Sequence, residues 1–275
     1  MKTAVNLSCV AGVSSLDLIP LVKRAGFDGC FSGVSADVTD VMTVASRLRE
    51  EGLIYQSVHA PFTKMHQMWE SGEDGENALA ELIACAENAA RVRVPIMVTH
   101  VFIGFREEHP NSLGVERFGK LVKRAEELGI KIAFENTEGE SYLQAVRDGL
   151  FSSPAAGFCI DTGHEMCYNR SADMISKYGA EGKLFCTHLN DNMGITGPEI
   201  FWLDDAHLLP FDGIADWDGI AKRMKAVGYD GFLTLELTTQ SKPNRTTHDR
   251  YASLSPLEFL TLAHDKALQF AEKLS

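Results

Sequence analysis

The feature that most constrains this chain is an end-to-end alternation of short apolar runs with longer amphipathic stretches. This order is typical of a parallel β-sheet whose strands are connected by helices. The predicted strands are Thr3–Ser8, Gly29–Ser32, Tyr55–His59, Ile96–His100, Lys131–Glu135, Gly157–Asp161, Leu184–Asn190 and Phe232–Glu236. The predicted helices lie near residues 15–25, 40–51, 76–92, 114–128, 141–149, 171–179, 216–227 and 256–273.

Eight strands and eight helices in strict alternation favour a single (β/α)8 TIM barrel, an α/β fold with parallel strands, over an open doubly wound sheet. No Gly-x-Gly-x-x-Gly follows a predicted strand, so a dinucleotide-binding sheet has no positive support. No linker or low-complexity tract interrupts the sequence, and we expect residues 1–275 to form one domain. Three long connections, 60–75, 189–215 and 237–255, each follow a strand and therefore belong at the catalytic face of a barrel.

Two predicted helices carry signals for their ends. Gly129 follows an apolar helical face and is expected to end the helix at 114–128. Ser255 and Pro256 open the last helix, with Glu258 at the capping-box position. These local signals agree with the alternating pattern.

Composition limits the classes of function. A net charge of -12 repels a phosphate backbone at long range, which counts against nucleic acid as a partner. No apolar run approaches the ~20 residues that span a bilayer, so no membrane partner is expected. Residues 1–15 are unlike a signal peptide, and we expect a cytoplasmic protein. The six scattered cysteines form no Cys-x-x-Cys pair, which favours buried free thiols over disulfides or thiolate zinc sites.

Metal-ligating side chains fall where consecutive predicted strands end. From the third strand to the eighth, each strand carries such a side chain at its end or, in the seventh, two residues before it: His59, His100, Glu135, Asp161, His188 and Glu236. A single histidine at a strand end is usually a structural residue, but six such positions in a row are poorly explained by chance. Strand ends on one side of a barrel converge, and carboxylates with imidazoles suit zinc, manganese or a similar divalent ion.

Other candidates lie in the connections that follow these strands. His164 comes three residues after Asp161, and Asp205 and His207 form an Asp-x-His pair in the seventh loop. Each of them is also an ordinary loop residue, so a bracing role stays open. In the third loop, Phe62 and Trp69 are candidates to stack on a substrate or, alternatively, to pack against the barrel rim.

The eighth loop contains a local basic cluster on an otherwise acidic chain, namely Lys242, Arg245, His248 and Arg250. Loops seven and eight of barrels often bind phosphate, so Arg245 is a candidate contact for a phosphorylated substrate. A solvated charge run is the alternative explanation.

These motifs together resemble the xylose-isomerase-like barrel superfamily, which includes sugar isomerases and epimerases, inosose-processing enzymes and endonuclease IV. The resemblance covers nearly the whole chain in element order. Its motifs are His-Ala-Pro at 59–61, Phe-Glu-Asn at 134–136, Asp-Thr-Gly-His at 161–164, His-Leu-Asn-Asp at 188–191, Asp-Ala-His-Leu-Leu-Pro at 205–210 and Leu-Glu-Leu at 235–237.

The resemblance implies a divalent metal cofactor, zinc or manganese in the first place, with cobalt or magnesium as alternatives. Ketose 3-epimerases of this superfamily hold one metal ion through four side chains that match Glu135, Asp161, His188 and Glu236. In endonuclease IV the same four ligands bind one of three zinc ions. The other ligands of that trinuclear site match His59, His100, His164, Asp205 and His207.

Two functions follow from the resemblance. The first is a metal-dependent isomerase or epimerase of carbohydrate metabolism, acting on a small sugar, sugar phosphate or cyclitol by proton transfer through an enediolate. Glu135 and Glu236 would be its acid and base, and His164 would donate a hydrogen bond to a substrate oxygen. The second is an endonuclease IV-like phosphoesterase or hydrolase. A non-enzymatic barrel and a homo-oligomeric assembly are also left open.

Two features count against the phosphoesterase. Endonuclease IV typically has a His-Pro-Gly turn after the fourth strand, whereas His100 is followed here by Val101 and Phe102. The acidic composition also provides no general basic surface for DNA. The sequence therefore favours proton transfer on a sugar-like substrate.

Overall fold

A computed structural model, which describes residues 1–194 and 202–275, confirms the predicted barrel. Its strands are β1 (Thr3–Asn6), β2 (Gly29–Gly33), β3 (Ile54–His59), β4 (Ile96–His100), β5 (Lys131–Glu135), β6 (Ala156–Asp161), β7 (Leu184–His188) and β8 (Leu233–Leu235). Its helices are α1 (Ser15–Ala25), α2 (Val38–Glu50), α3 (Glu73–Arg91), α4 (Ser112–Leu128), α5 (Glu140–Leu150), α6 (Thr162–Cys167), α7 (Met174–Gly179), α8 (Trp217–Ala226) and α9 (Pro256–Leu274). Residues 195–201 of the predicted long seventh connection lie outside the described ranges.

The sheet follows chain order, and its strands pair in parallel from β1 to β7, with β8 paired to β1. A parallel bridge between Leu189 and Leu235 joins β7 to β8 and closes the ring. Asn6, at the end of β1, donates to and accepts from the backbone of Leu237, at 2.9 Å in both cases. These hydrogen bonds hold β1 and β8 together at the face where the strands end.

The predicted helix ends are confirmed. Gly129 adopts φ +70° after α4, a left-handed conformation that glycine tolerates without steric cost. The side chain of Ser255 accepts from the backbone of Glu258, whose carboxylate in turn accepts from the backbone of Ser255. This reciprocal pair is a capping box at the start of α9.

The element bounds differ from the prediction beside three candidate ligands. β7 ends at His188, two residues before its predicted end at Asn190. The region after β6 contains two short helices, because the carboxylate of Asp161 accepts from the backbone N–H of His164 and caps α6 immediately. At β8 the strand ends at Leu235, so Glu236 is the first residue beyond it.

The interior of the barrel has a separate small cluster directly beneath the strand-end residues. It consists of Val98, Ala133, Cys159 and Cys186, each two residues before a candidate ligand on the same strand. Side chains two apart on a strand point to the same side, so this layer supports the strand-end side chains from below. All six cysteines are buried and free, as expected. Among the described residues, no helix combines the length and apolar character needed to cross a membrane.

Candidate metal centre

Four side chains at or just beyond the carboxyl ends of β5, β6, β7 and β8 lie close together. Glu135, Asp161, His188 and Glu236, which we call the central quartet, offer ligand atoms that all lie within 4.8 Å of one another. The strand register produces this convergence, since Asp161 pairs directly with His188. The first three side chains are fully buried, whereas that of Glu236 is 22% exposed.

Hydrogen bonds fix the orientation of the central quartet. Nδ1 of His188 lies 2.9 Å from Oε1 of Glu135 and 3.1 Å from Oε2 of Glu236. Oδ2 of Asp161 accepts from Nδ2 of Asn190 at 2.8 Å, and its other oxygen caps α6. These contacts orient the four side chains toward one another.

The electrostatics of the central quartet favour an added positive charge. Burial raises the pKa of Glu135, but His188 and its neighbours outweigh that effect and hold the pKa well below its ordinary value. Burial raises the pKa of Asp161 to about 7 against the opposing effect of His164. For Glu236 the effect of burial is overcome by His188, and the pKa falls to about 2. Three carboxylates thus share this small volume, and the nearest positive charge available to them comes from imidazoles.

This donor set fits a divalent cation. Three carboxylates and one imidazole supply oxygen and nitrogen ligands of the kinds that zinc and manganese accept, and the ligand atoms share one small volume. A bound cation would also lower the cost of burying three negative groups together.

Two further histidines contact the central quartet from β3 and β4. Nε2 of His59 lies 3.0 Å from Oε2 of Glu135, and Nε2 of His100 lies 3.3 Å from the same oxygen. Both oxygens of Glu135 are therefore engaged, because Oε1 contacts His188.

A second cluster adjoins Asp161 on the opposite side. Asp161, His164 and His207 offer ligand atoms within 4.8 Å of one another. Oδ2 of Asp205 lies 2.9 Å from Nε2 of His207 and 3.6 Å from Nε2 of His164. Nδ1 of His207 contacts the backbone carbonyl of Glu236 at 3.1 Å, so the seventh loop is tied to the end of β8.

A cavity of about 720 Å³ opens above these residues. The five additional candidates predicted from sequence all line it, and so does one member of the central quartet: His59, His100, His164, Asp205, His207 and Glu236. Its mouth carries Phe62, Phe105 and Trp202, which we call the aromatic mouth. Among the described aromatic residues, these three are the most exposed, with 40–48% of their surface accessible to solvent.

The structure corrects the expectation for Trp69. Its indole is buried at the end of the short 3-10 helix Met65–Trp69, where Nε1 donates to the carbonyl of Val101 at 2.7 Å. Gly114 of α4 leaves the slot that the ring fills, since a Cβ there would collide with the indole. Trp69 therefore braces the third loop and does not line the described cavity. Phe62 from the same loop does line it.

The expectation for Arg245 is also corrected, because the basic residue of the eighth loop that lines the cavity is Lys242. Its Nζ lies 3.7 Å from Oδ2 of Asp205 and 5.5 Å from the ring centre of Trp202. Asn244, with φ +60°, turns the chain between the two basic residues. The cluster of basic residues was visible in the sequence, but the turn that follows Lys242 was not.

Three other lining residues, Glu138, Tyr168 and Phe105, were missed by sequence reasoning. Glu138 lies three residues beyond Glu135, and its carboxylate accepts from the backbone N–H of Gly104 at 2.9 Å. Its position in the loop after a ligand-bearing strand was the one signal that could have identified it.

Comparison with known proteins agrees with this architecture. The family model described as "Xylose isomerase-like TIM barrel" matches residues 19–256. The uncharacterized protein y4fM of Sinorhizobium fredii is 30% identical, over 95% of this chain and 89% of that protein.

Two solved structures show the same fold. A crystal structure of the IOLI protein with a binding zinc atom has a TM-score of 0.77 at 17% identity, covering 100% of this chain and 99% of that one. D-psicose 3-epimerase in the presence of D-fructose has a TM-score of 0.71 at 14% identity, covering 99% and 98%. At these identities the structural similarity establishes the fold alone.

Proposed function

The chain belongs to the xylose isomerase-like TIM barrel family, and from that premise we propose that it is a one-domain, metal-dependent sugar isomerase or epimerase. The observation that carries the proposal is the convergence of the central quartet at the base of the cavity. Solved relatives of the same fold include an epimerase studied with D-fructose and a protein with a zinc atom.

The central quartet would hold the divalent ion, with zinc or manganese as the first candidates. Such an ion supplies Lewis-acid stabilisation of negative charge that develops on a substrate oxygen during enolisation. His59 and His100 hold Glu135 from the side through Oε2 and so keep its carboxylate oriented toward the site.

Glu236 is the proposed proton carrier on the cavity side. Its carboxylate lines the cavity and contacts His188 through Oε2, and no described residue contacts Oε1 at hydrogen-bond distance. A carboxylate oxygen that faces the substrate can remove the proton next to a carbonyl. Glu135 is the proposed partner on the other face of the planar enediolate, although its full burial makes it the more constrained of the two.

His164 is proposed to hydrogen-bond a substrate oxygen. Its Nδ1 lies 2.9 Å from the carbonyl oxygen of Asn136, which fixes the ring and assigns a proton to that nitrogen. Nε2 then faces Asp205 and the cavity. The ring is therefore positioned to discriminate among substrate hydroxyl groups.

The aromatic mouth supports a sugar-like ligand. Phe62 stacks on His100 with ring centres 4.7 Å apart and still presents 41% of its surface to the cavity entrance. Aromatic faces pack well against the apolar face of a sugar ring, and they keep water from a reactive enediolate.

Deuterium exchange tests the proposal. Metal-loaded protein incubated in D₂O with a panel of ketoses and inososes is expected to place deuterium on one carbon next to the carbonyl. Glu236→Gln should lower that rate about 10²–10⁴-fold, because one acid–base group contributes about that much. Glu107→Gln, on an 86% exposed side chain, is the matched control and should exchange at the wild-type rate. Absence of exchange with every sugar in the panel would overturn the proposal.

A second candidate function is a metal-dependent phosphoesterase. The cluster of Asp161, His164 and His207 beside the central quartet favours it, because additional ions could clamp a phosphate there. Nicking of abasic DNA that stops with a chelator, combined with no sugar exchange, would support this function in place of the first.

A further inference from the structure

His188 is the only imidazole of the central quartet. Its Nδ1 contacts Glu135 and Glu236, so this nitrogen faces the proposed ion. Its Nε2 is buried and has no hydrogen-bond partner among the described residues. A histidine that binds a metal normally donates its second ring N–H to a group that fixes the ring, so a partner for Nε2 is required.

The polar group that faces the imidazole from below is a thiol. Cys186 precedes His188 by two residues on β7, so both side chains point into the barrel. The sulfurs of Cys186 and Cys159 and one ligand nitrogen of His188 all lie within 4.8 Å of one another. Sulfur is a weak acceptor, and it can take an N–H at a longer distance than oxygen can.

A β-bulge brings an amide to the same sulfur. The register of β2 against β3 shifts between Cys30 and Phe31, so Gln56 is the extra residue on β3. A bulge redirects a side chain, and here the amide of Gln56 is buried in the barrel. Nε2 of Gln56 donates to Sγ of Cys186 at 3.5 Å, and Oε1 accepts from the Ser57 hydroxyl at 2.6 Å.

We propose that Gln56 and Cys186 are positioning residues that orient His188 toward the metal ion from inside the barrel. Gln56 fixes the thiol through its N–H, and the sulfur accepts the Nε2–H of His188. A bound ion would replace the proton that Nδ1 donates to the carboxylates of Glu135 and Glu236, and Nε2–H is the proton that the imidazole would keep. This inference rests on the metal centre of the proposed function, but it concerns metal affinity and needs no substrate.

Metal titration tests the proposal. The probes are Zn²⁺ and Co²⁺ alone, with affinity measured by competition against a chromophoric chelator and geometry by the visible spectrum of the Co²⁺ form. Cys186→Ala is expected to weaken binding tenfold to hundredfold, as is typical when such a partner is lost, and to change the Co²⁺ spectrum. Cys186→Ser should recover most of the affinity, because a hydroxyl also accepts the N–H. Gln56→Leu should give a smaller loss.

Cys85→Ala is the matched control, since Cys85 is a buried thiol of α3 outside the central quartet and the layer beneath it. Unfolding of the metal-free variants separates a loss of packing from a loss of orientation. Wild-type affinity and spectrum in Cys186→Ala, with only a lower stability, would overturn the positioning role alone. A wild-type protein that binds neither ion would overturn the metal centre as well.

Discussion

The central quartet and the aromatic mouth belong to the same cavity, yet they are built in opposite ways. The central quartet lies at strand ends, where the barrel register fixes each side chain and three of the four are fully buried. The aromatic mouth comes from three different loops, and each of its rings is at least 40% exposed. On the proposed function, the barrel would fix the residues of the reaction, whereas the loops that carry the aromatic mouth would set substrate preference.

The largest effect is expected from the central quartet. His188→Ala removes the only nitrogen ligand and leaves Glu135 and Glu236 without their shared partner. We expect bound metal, measured by elemental analysis after gel filtration, to fall to background, and sugar exchange to fall with it. His109→Ala, on a 72% exposed side chain, should retain both. If the His188→Ala protein keeps one ion per chain, the central quartet does not hold the metal and does not differ from the aromatic mouth in this respect.

A smaller effect is expected from the aromatic mouth. Phe62→Ala removes a ring from the entrance without touching the central quartet, and an aromatic contact contributes about 0.5–1.5 kcal/mol. The KM for the sugar that exchanges should rise about twofold to tenfold, with kcat and metal content unchanged. Leu268→Ala, at a 45% exposed side chain on α9, is the control. A change in kcat with an unchanged KM would mean that the mouth takes part in the chemistry.

The smallest effect is expected from pH, on the free energy of unfolding, through Asp205 and His207 of the seventh loop. Burial lowers the pKa of His207, but Asp205 reverses this and raises it to about 9. Because the folded pKa exceeds the ordinary value of 6.5, the pair stabilises the metal-free protein fully below pH 6.5. That contribution is lost as the pH rises through 9. In denaturant unfolding, the wild type should lose stability relative to Asp205→Asn between pH 6.5 and 9. If the free energy of unfolding of the two proteins changes in parallel with pH, Asp205 does not raise the pKa of His207.

The sequence predicted the barrel because its signal is repeated in every βα unit. His59, His100, Glu135 and Asp161 are the last residues of their strands in both the prediction and the structure. In-register pairs such as His100 with Glu135 bring these ends together, so the convergence followed from the fold class.

The remaining features depended on long-range packing that local patterns do not contain. Trp69 and Phe62 lie in one aromatic loop, and only the slot at Gly114 shows which ring faces the helices. Lys242 lines the cavity, and the backbone turn at Asn244 that follows it could not be read from the cluster of basic residues. The bulge that directs Gln56 toward Cys186 arises from pairing between β2 and β3, and nothing in the local sequence marks it.

Anomalous diffraction from crystals grown with zinc and with manganese tests the central claim most directly. We expect one strong peak at each metal edge, bounded by Glu135, Asp161, His188 and Glu236, with Nδ1 of His188 as the nitrogen ligand. Additional peaks beside His59, His100 or His207 would favour the phosphoesterase. If the protein binds either ion in solution but its crystals show no peak at the central quartet, the proposed metal centre is contradicted.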